Sequence, residues 1–295
     1  MKVETEKVLI STPDGHLPAF LYESVERSPQ PAILLLMEAF GLMSHIQDVA
    51  IRTAQEGYVV LAPDLYYREL PNNTFGYDDV EQAMAMMYRL DFGTPIQEDI
   101  RAAIADSVFL LSEVRFIPGC QWLRGCFCTL LASKTLYLKS HPAVTPAHIG
   151  VTGFCLGGGL TFFAACYFSG EIAAAAPFYG MVLDEWIDAI PQITVPLYVF
   201  HGGLDPFIPL ERIQHIESRL KAHNKAYTLK LYPDADHGFF CHERFSYNRQ
   251  AAEDAWAELT QFFRRHLKKS AEELTVTAGF KTLIYCSVQF IQNTF

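Results

Sequence analysis

Short, uninterrupted apolar runs that alternate with helical patterns constrain the fold of this chain more than any other feature. Residues 32–37 read AILLLM, residues 46–56 have the pattern of a helix, and residues 58–62 read YVVLA. A strand of apolar residues alone is typical of a parallel sheet that is buried on both faces. The alternation continues, with strands predicted over 149–154, 173–178, 197–201 and 227–232 and helices predicted over 156–168, from Pro209 and over 251–267. It predicts an α/β fold in which a mostly parallel central sheet has helices on both faces.

The same pattern predicts the extent of the domain. Pro13-Asp14-Gly15 is a turn signal between two extended runs, so the chain opens with a predicted hairpin. Residues 106–135 are far longer than the roughly 2–6 residues usual between elements of an α/β domain, and we interpret them as an insertion. We therefore predict a single domain over 1–269, interrupted by that insertion and followed by an appended tail at 270–295.

A helix with one apolar face is predicted where Val80, Ala83, Met84 and Met87 recur at spacings of three and four residues. Methionine fills irregular gaps in protein cores. We therefore interpret the methionines of this face as core filler and not as a ligand surface.

The composition restricts the partners and the compartment. Half of the 295 residues are apolar and 19% are charged, which is typical of a globular chain and not of a disordered one. The formal charge is −10, so neither nucleic acid nor an anionic membrane is an expected partner. We see no export signal and no run of about 18 apolar residues, and the seven cysteines are an odd, scattered set that fits reduced thiols. The expectation is a cytoplasmic protein without a membrane span.

The segment 153–158, which reads GFCLGG, places Cys155 at the centre of a G-x-C-x-G motif between a predicted strand and a predicted helix. In the related G-x-S-x-G motif, the central residue is a nucleophile on a sharp strand-to-helix turn. The start of a helix favours a thiolate on Cys155, and the N–H of Leu156 is placed to stabilise an oxyanion. The alternative is a buried, unreactive cysteine whose neighbouring glycines only permit close packing. A dinucleotide site is excluded, because G-x-G-x-x-G is not present in register.

Asp205 and His237 are the predicted partners of this cysteine. Asp205 follows the strand predicted over 197–201, and His237 follows the strand predicted over 227–232. The chain order of nucleophile, acid and histidine is that of α/β-hydrolases, whose sites lie at the carboxyl ends of parallel strands. Taken alone, Asp205 could be a turn residue and His237 a histidine on a surface loop. The coincidence of all three favours a Cys-His-Asp triad.

The chain resembles the dienelactone hydrolase family, which consists of cysteine-nucleophile α/β-hydrolases, over about residues 5–105 and 136–268. The resemblance rests on the motifs GFCLGG at 153–158, H-G-x-x-D at 201–205, D-H-G-F at 236–239, MEAFG at 37–41 and APDLY at 62–66. It implies that Glu38 lies beside Cys155 and switches the thiol between a neutral and an activated form, and that the N–H of Ala39 is the second oxyanion donor. A neighbouring carboxylate repels a thiolate but accepts a thiol proton, which gives this role a physical basis. The alternative for Glu38 is a glutamate exposed at the end of a strand.

Two positions depart from the family. Members that act on dienelactones hold the substrate carboxylate with two arginines, and Val80 and Cys241 align with them here. Arg68 and Arg244 are the nearby candidates for binding an anion, with Arg68 preferred. The alternative for Arg68 is a solvated loop arginine. The sequence therefore does not predict that dienelactone itself is the substrate.

The resemblance and the triad together predict a hydrolase that cleaves a lactone or ester bond through a thioester acyl-enzyme. The expected partner is a small-molecule substrate, with no cofactor; no metal is expected, since Cys120, Cys126 and Cys128 lack a second ligand pair. The sequence leaves the oligomeric state open, a monomer included. Two other functions stay open: a broader carboxylesterase or thioesterase, and a non-catalytic protein of the same fold that binds a ligand or a partner.

Overall fold

The apolar runs form one eight-stranded sheet in the computed structural model, which describes residues 1–25, 29–69, 74–104 and 137–268. The strands are β1 (Val3–Thr12), β2 (Gly15–Ser24), β3 (Gln30–Leu36), β4 (Val59–Pro63), β5 (Val144–Phe154), β6 (Ala174–Phe178), β7 (Leu197–Gly202) and β8 (Tyr227–Tyr232). The helices are α1 (Ser44–Gln55), α2 (Val80–Met87), α3 (Thr94–Ile104), α4 (Tyr137–Ser140), α5 (Leu156–Tyr167), α6 (Asp184–Asp188), α7 (Leu210–Ala222) and α8 (Arg249–Leu267). A 3-10 turn covers Ile190–Gln192.

The strand order is β1-β2-β4-β3-β5-β6-β7-β8. β1 and β2 form the predicted antiparallel hairpin, β2 pairs antiparallel with β4, and all other pairs are parallel. Every residue of β4, β6 and β7 is buried, as expected for parallel strands that are covered on both faces. The predicted α/β-hydrolase fold, with a mostly parallel sheet flanked by helices, is thereby confirmed.

Two local expectations differ from the structure. Pro209 precedes α7 as its N-cap and is not its first helical residue, a one-residue difference that lies within the usual uncertainty of helix ends. The α2 methionines are core filler only in part: Met87 is buried in the core and Met84 packs against it, but both also line, with Val80, the cleft next to Cys155. Spacing identifies an apolar face but does not distinguish a core from an apolar cleft.

The predicted insertion at 106–135 and the predicted tail at 270–295 lie outside the described residues, so the division of the chain into domain, insertion and tail stays a prediction. No helix in the described ranges is both long and apolar enough to cross a bilayer.

The parallel arrangement brings four loops to one edge of the sheet. β3, β5, β7 and β8 run in the same direction, and their carboxyl ends lead into Glu38, Cys155, Asp205 and His237. Ligands of open α/β sheets bind at this edge. Residues that are far apart in sequence therefore meet there because of the strand order.

Candidate active site

Cys155 occupies a strained turn between β5 and α5. Its φ is 54° and its ψ is −113°, a conformation that non-glycine residues seldom adopt. An added Cβ on Gly157 would lie 2.2 Å from the carbonyl oxygen of Leu36, and one on Gly153 would lie 2.5 Å from the carbonyl oxygen of Gly157. Glycine at both positions lets the start of α5 contact the end of β3. The backbone that leads to Ala39 is thereby held next to Cys155.

His237 and Asp205 are hydrogen-bonded as the predicted triad requires. His237 Nδ1 lies 2.8 Å from Asp205 Oδ2, and both side chains are buried. The other carboxylate oxygen, Oδ1, accepts the N–H groups of Phe207 at 2.8 Å and Ile208 at 3.1 Å. The rings of Tyr179 and Phe207 each meet the imidazole edge-on at a centroid distance of 5.1 Å. These contacts fix the orientation of both the carboxylate and the imidazole.

The protonation of His237 depends on opposing effects. Burial alone lowers its pKa, but a Cys155 thiolate and the hydrogen bonds to Asp205 and Cys155 outweigh burial and raise the pKa to about 10. An imidazolium is therefore favoured at neutral pH when the thiolate is present. The arrangement supports a thiolate–imidazolium pair.

Glu38 is fully buried, and the charge of His237 acts on its carboxyl group. Burial raises the pKa of its carboxyl group, while the charges of Arg244 and His237 and the hydroxyl of Tyr77 oppose that effect. The Tyr77 hydroxyl donates to Glu38 Oε2 at 3.4 Å, and Oε1 has no hydrogen-bond partner among the described residues. A carboxyl group balanced in this way can exchange a proton with a neighbouring thiol.

The two expected oxyanion donors, Ala39 and Leu156, line the same cleft as Cys155. The carbonyl oxygen of Ala39 accepts a hydrogen bond of 2.8 Å from the buried hydroxyl of Tyr66. Tyr66 thus holds the backbone of Ala39 in a defined orientation.

The cleft above the thiol has about 840 Å³ of empty space, counted with its open mouth. Its walls are mainly apolar and come largely from α2, α6 and the loops at this edge, with Phe40, Met84, Met87, Phe92, Trp186 and Phe207 among them. Such walls suit the apolar part of a small molecule.

Arg244 supplies the cleft with its positive charge. Its guanidinium packs against Gly238, so that an added Cβ there would lie 2.3 Å from Nη1, and it lies 5.3 Å from the ring centre of Phe40. Nη1 is buried and has no hydrogen-bond partner among the described residues. Arg244 is therefore placed to meet an anionic or carbonyl oxygen of a ligand.

Arg68, the preferred candidate from the sequence, does not line the cleft. Its guanidinium bonds to Asp14 Oδ1 at 2.9 Å and to Asp99 Oδ1 at 2.8 Å, and the Asp99 side chain is fully buried. These ion pairs tie the hairpin turn and α3 to the segment after β4. The hydrogen-bond donors of the Arg68 guanidinium are already bonded to the carboxylates of Asp14 and Asp99. The geometry therefore favours Arg244 over Arg68 as the ligand-binding arginine.

Sequence reasoning missed the two tyrosines that support the site. Tyr66 ends the APDLY motif, so its position carried a signal, but its contact with Ala39 depends on the pairing of β3 with β4. Tyr77 lies outside any regular element, just before α2, and reaches Glu38 only in the folded chain. No local pattern indicates that contact.

Comparison with known proteins gives a consistent result. The family model described as "Dienelactone hydrolase family" matches residues 17–267. A protein of Synechocystis sp. named "Putative carboxymethylenebutenolidase" is 32% identical over 280 residues, which cover 91% of this chain and all of that protein. The crystal structure of a "Putative Dienelactone Hydrolase" from Klebsiella pneumoniae has a TM-score of 0.72 at 22% identity and covers 90% of this chain and 100% of that one. That of a dienelactone hydrolase-like promiscuous phosphotriesterase from metagenomic libraries has a TM-score of 0.66 at 18% identity, over 90% of this chain and 99% of that one. The two structures support the fold.

Proposed function

This chain belongs to the dienelactone hydrolase family and is a hydrolase of ester or lactone bonds, and we propose that it cleaves them through a Cys155–His237–Asp205 triad and a thioester acyl-enzyme. The observation that carries the proposal is the position of Cys155 on a strained turn, in electrostatic contact with a buried histidine that Asp205 orients. A buried cysteine in a purely structural role needs none of these contacts.

In the first half of the reaction, the Cys155 thiolate attacks the carbonyl carbon and the electron pair of the C=O bond moves onto oxygen. The N–H groups of Ala39 and Leu156 stabilise that oxyanion. When the C=O bond re-forms, the bond to the alcohol oxygen breaks and His237 gives its proton to the leaving oxygen. The products are a thioester on Cys155 and an alcohol, which stays attached to the acyl group if the substrate was a lactone.

In the second half, neutral His237 takes a proton from water as the water oxygen attacks the thioester carbonyl. The carbon–sulfur bond then breaks, the Cys155 thiolate returns beside an imidazolium, and a carboxylic acid is released. Asp205 stabilises the imidazolium at both stages through its bond to Nδ1. Glu38 exchanges a proton with the Cys155 thiol in the resting enzyme. Cys155 therefore becomes fully nucleophilic only when bound substrate shifts this proton exchange towards the thiolate.

The cleft favours an ester or lactone with an apolar body that fills the space between α2 and Trp186. One anionic or strongly polar group on the substrate would meet Arg244. The mainly apolar lining makes a broader carboxylesterase the second candidate, because simple aryl esters fit it without any charged group. We place this activity in the cytoplasm, in keeping with the free thiols of Cys155, Cys166 and Cys241.

The proposal is tested with an activated aryl ester and the wild-type and Cys155→Ala proteins. We expect a burst of product followed by steady turnover in the wild type, and an intact-mass gain equal to the acyl group that Cys155→Ala lacks. A folded wild-type protein without turnover or adduct would support the binding-protein alternative instead. Comparing a cyclic enol-lactone with aryl esters then separates lactonase from carboxylesterase, since equal or faster cleavage of the simple esters would exclude a dedicated lactonase.

A further inference from the structure

Three buried side chains that bind metals in other proteins meet beside the active site. They are Glu38 after β3, His45 at the start of α1 and Cys241 in the loop between β8 and α8. One potential ligand atom from each lies within 4.8 Å of those of the other two. Cysteine spacing along the sequence could not reveal this group, because its members come from three distant segments.

Three nitrogen and oxygen atoms of this group lack the hydrogen bonds that buried polar atoms normally make, whereas Tyr77 bonds to Glu38 Oε2 and to the Cys241 thiol. Both ring nitrogens of His45 and Oε1 of Glu38 are buried without a partner among the described residues. His45 is 1% exposed, and its ring is surrounded by Phe154, Phe240 and His242 at centroid distances of 5.4–6.5 Å. An imidazole with two unsatisfied nitrogens in such surroundings is costly unless something binds it.

The chemical state of each group suits a metal ion. A buried imidazole whose two nitrogens have no hydrogen-bond partner among the described residues offers a lone pair to a metal ion, and a buried thiol becomes a ligand when the metal displaces its proton. A carboxylate, a thiolate and a neutral imidazole then balance the charge of a divalent cation, and the buried site stays neutral beside Arg244.

Oxygen, nitrogen and sulfur ligands in this combination are those of zinc and chemically similar divalent ions. A tetrahedral zinc with bonds of about 2.0–2.3 Å keeps its ligand atoms about 3.3–3.8 Å apart. The three side chains must therefore close by about 1 Å when the ion binds. Hard ions such as Mg²⁺ prefer oxygen ligands and do not fit this set.

We propose that Glu38, His45 and Cys241 form a binding site for Zn²⁺, and that the bound ion inhibits the hydrolase by engaging Glu38 as a ligand. On binding, a metal–sulfur bond replaces the S–H bond of Cys241 and the proton leaves to solvent. Glu38 ligates the metal through Oε1, and the ion holds the carboxylate in the metal site and away from its proposed role in the reaction. The inhibition, though not the binding, rests on the function proposed above.

Binding is measured first, without reference to activity. Co²⁺ serves as the probe, because a cobalt–thiolate bond gives a charge-transfer band and a tetrahedral site gives intense visible bands. The background is Cys155→Ala, so that the nucleophile cannot contribute, and the incubation is long because the site is buried. We expect one equivalent of Co²⁺ with thiolate ligation, displaced by Zn²⁺.

Two variants assign the site. In that background His45→Phe keeps an aromatic ring among Phe154 and Phe240, and Cys241→Ala removes the thiol; each should abolish the cobalt spectrum. Cys166→Ala removes another buried cysteine and is the matched control that should retain it. An unchanged spectrum in His45→Phe or Cys241→Ala, or no cobalt spectrum in the background protein, would overturn the site.

Inhibition is measured on chains with Cys155 intact. His45→Phe and Cys241→Ala should keep aryl-ester turnover within about twofold and need at least about tenfold more Zn²⁺ for half-inhibition than the wild type. Equal inhibition of all three would mean that Zn²⁺ acts on Cys155 and His237 directly, which contradicts the proposed inhibition. If cobalt binds as expected but no protein hydrolyses the ester, the proposed function fails while the site stands.

Discussion

Cys155 and Asp205 favour the protonated form of His237, whereas its buried environment opposes it. The pKa of about 10 therefore depends on Cys155 and Asp205, because burial alone would lower it. We predict that, in the form of the wild-type enzyme in which Cys155 is a thiolate, the imidazole of His237 stays protonated at pH 8 and loses its proton as the pH rises through about 10. In Cys155→Ala the thiolate charge and its hydrogen bond are absent, Asp205 alone opposes the effect of burial, and the pKa of His237 should fall below about 10. NMR of labelled histidine measures both, and titration near pH 10 in Cys155→Ala would show that the thiolate is not the cause.

A second prediction at this scale concerns Tyr66. Its hydroxyl orients the Ala39 peptide without touching substrate, so Tyr66→Phe should lower kcat about tenfold, less than the 10²–10³ expected for loss of an oxyanion donor, with little change in KM. Tyr22→Phe, at another buried tyrosine in β2, should leave kcat unchanged. Equal values of kcat in wild type and Tyr66→Phe would show that the Tyr66 hydroxyl does not support the oxyanion site.

Side chains that follow strands could be predicted from the sequence, whereas those selected by tertiary contacts could not. Cys155, Asp205 and His237 each come directly after a buried strand, and parallel pairing alone brings them to one edge. The choice between Arg68 and Arg244 depended on which guanidinium is paired with carboxylates in the folded chain. Asp14 and Asp99 bind Arg68, and that pairing joins the β1–β2 turn to α3, which no local pattern reveals.

At the scale of elements, the Arg68 ion pairs hold the hairpin and α3 together. Arg68→Met would leave the buried carboxylate of Asp99 without its cation, and we predict a loss of about 3 kcal/mol in the free energy of unfolding. Aryl-ester kcat/KM at a temperature where the variant is folded should stay within about twofold of wild type. Arg249→Met breaks an exposed pair on α8 and should change stability little. A large rise in KM for anionic substrates with unchanged stability would instead restore Arg68 as a substrate-binding residue.

Helix α2 shows the limit of periodicity at this scale. The spacing of Val80, Ala83, Met84 and Met87 predicted the helix and its apolar face correctly. Its Ala83 is buried, whereas Val80 is 42% exposed and borders the cleft. Whether an apolar face meets core or cleft is decided by what packs around it, and the cleft is also lined by Trp186 and Phe207, about a hundred residues or more further along the chain.

For the whole molecule, the described core ends with α8. Leu259, Phe263 and Leu267 are buried, and the helix packs on β5, β6 and β7. We predict that a chain truncated after Lys269 keeps its Tm within about 2 °C and its ester turnover within about twofold, as expected if the domain is complete without the predicted tail. Differential scanning calorimetry and the aryl-ester assay check this, with the full chain as reference. A loss of cooperative unfolding would place part of the domain beyond residue 269.

The order of the strands also has a consequence for the protein during its synthesis on the ribosome. The nucleophile leaves the ribosome first, and its histidine partner follows β8 and comes about eighty residues later, which at roughly 5–20 residues per second is a delay of about 4–16 seconds. During that interval Cys155 has no imidazolium partner, and Asp205 is also absent until about fifty residues have been added. During synthesis Cys155 therefore lacks the partner that would make it react readily with electrophiles in the cell. The reactive form arises only when β8 joins the sheet.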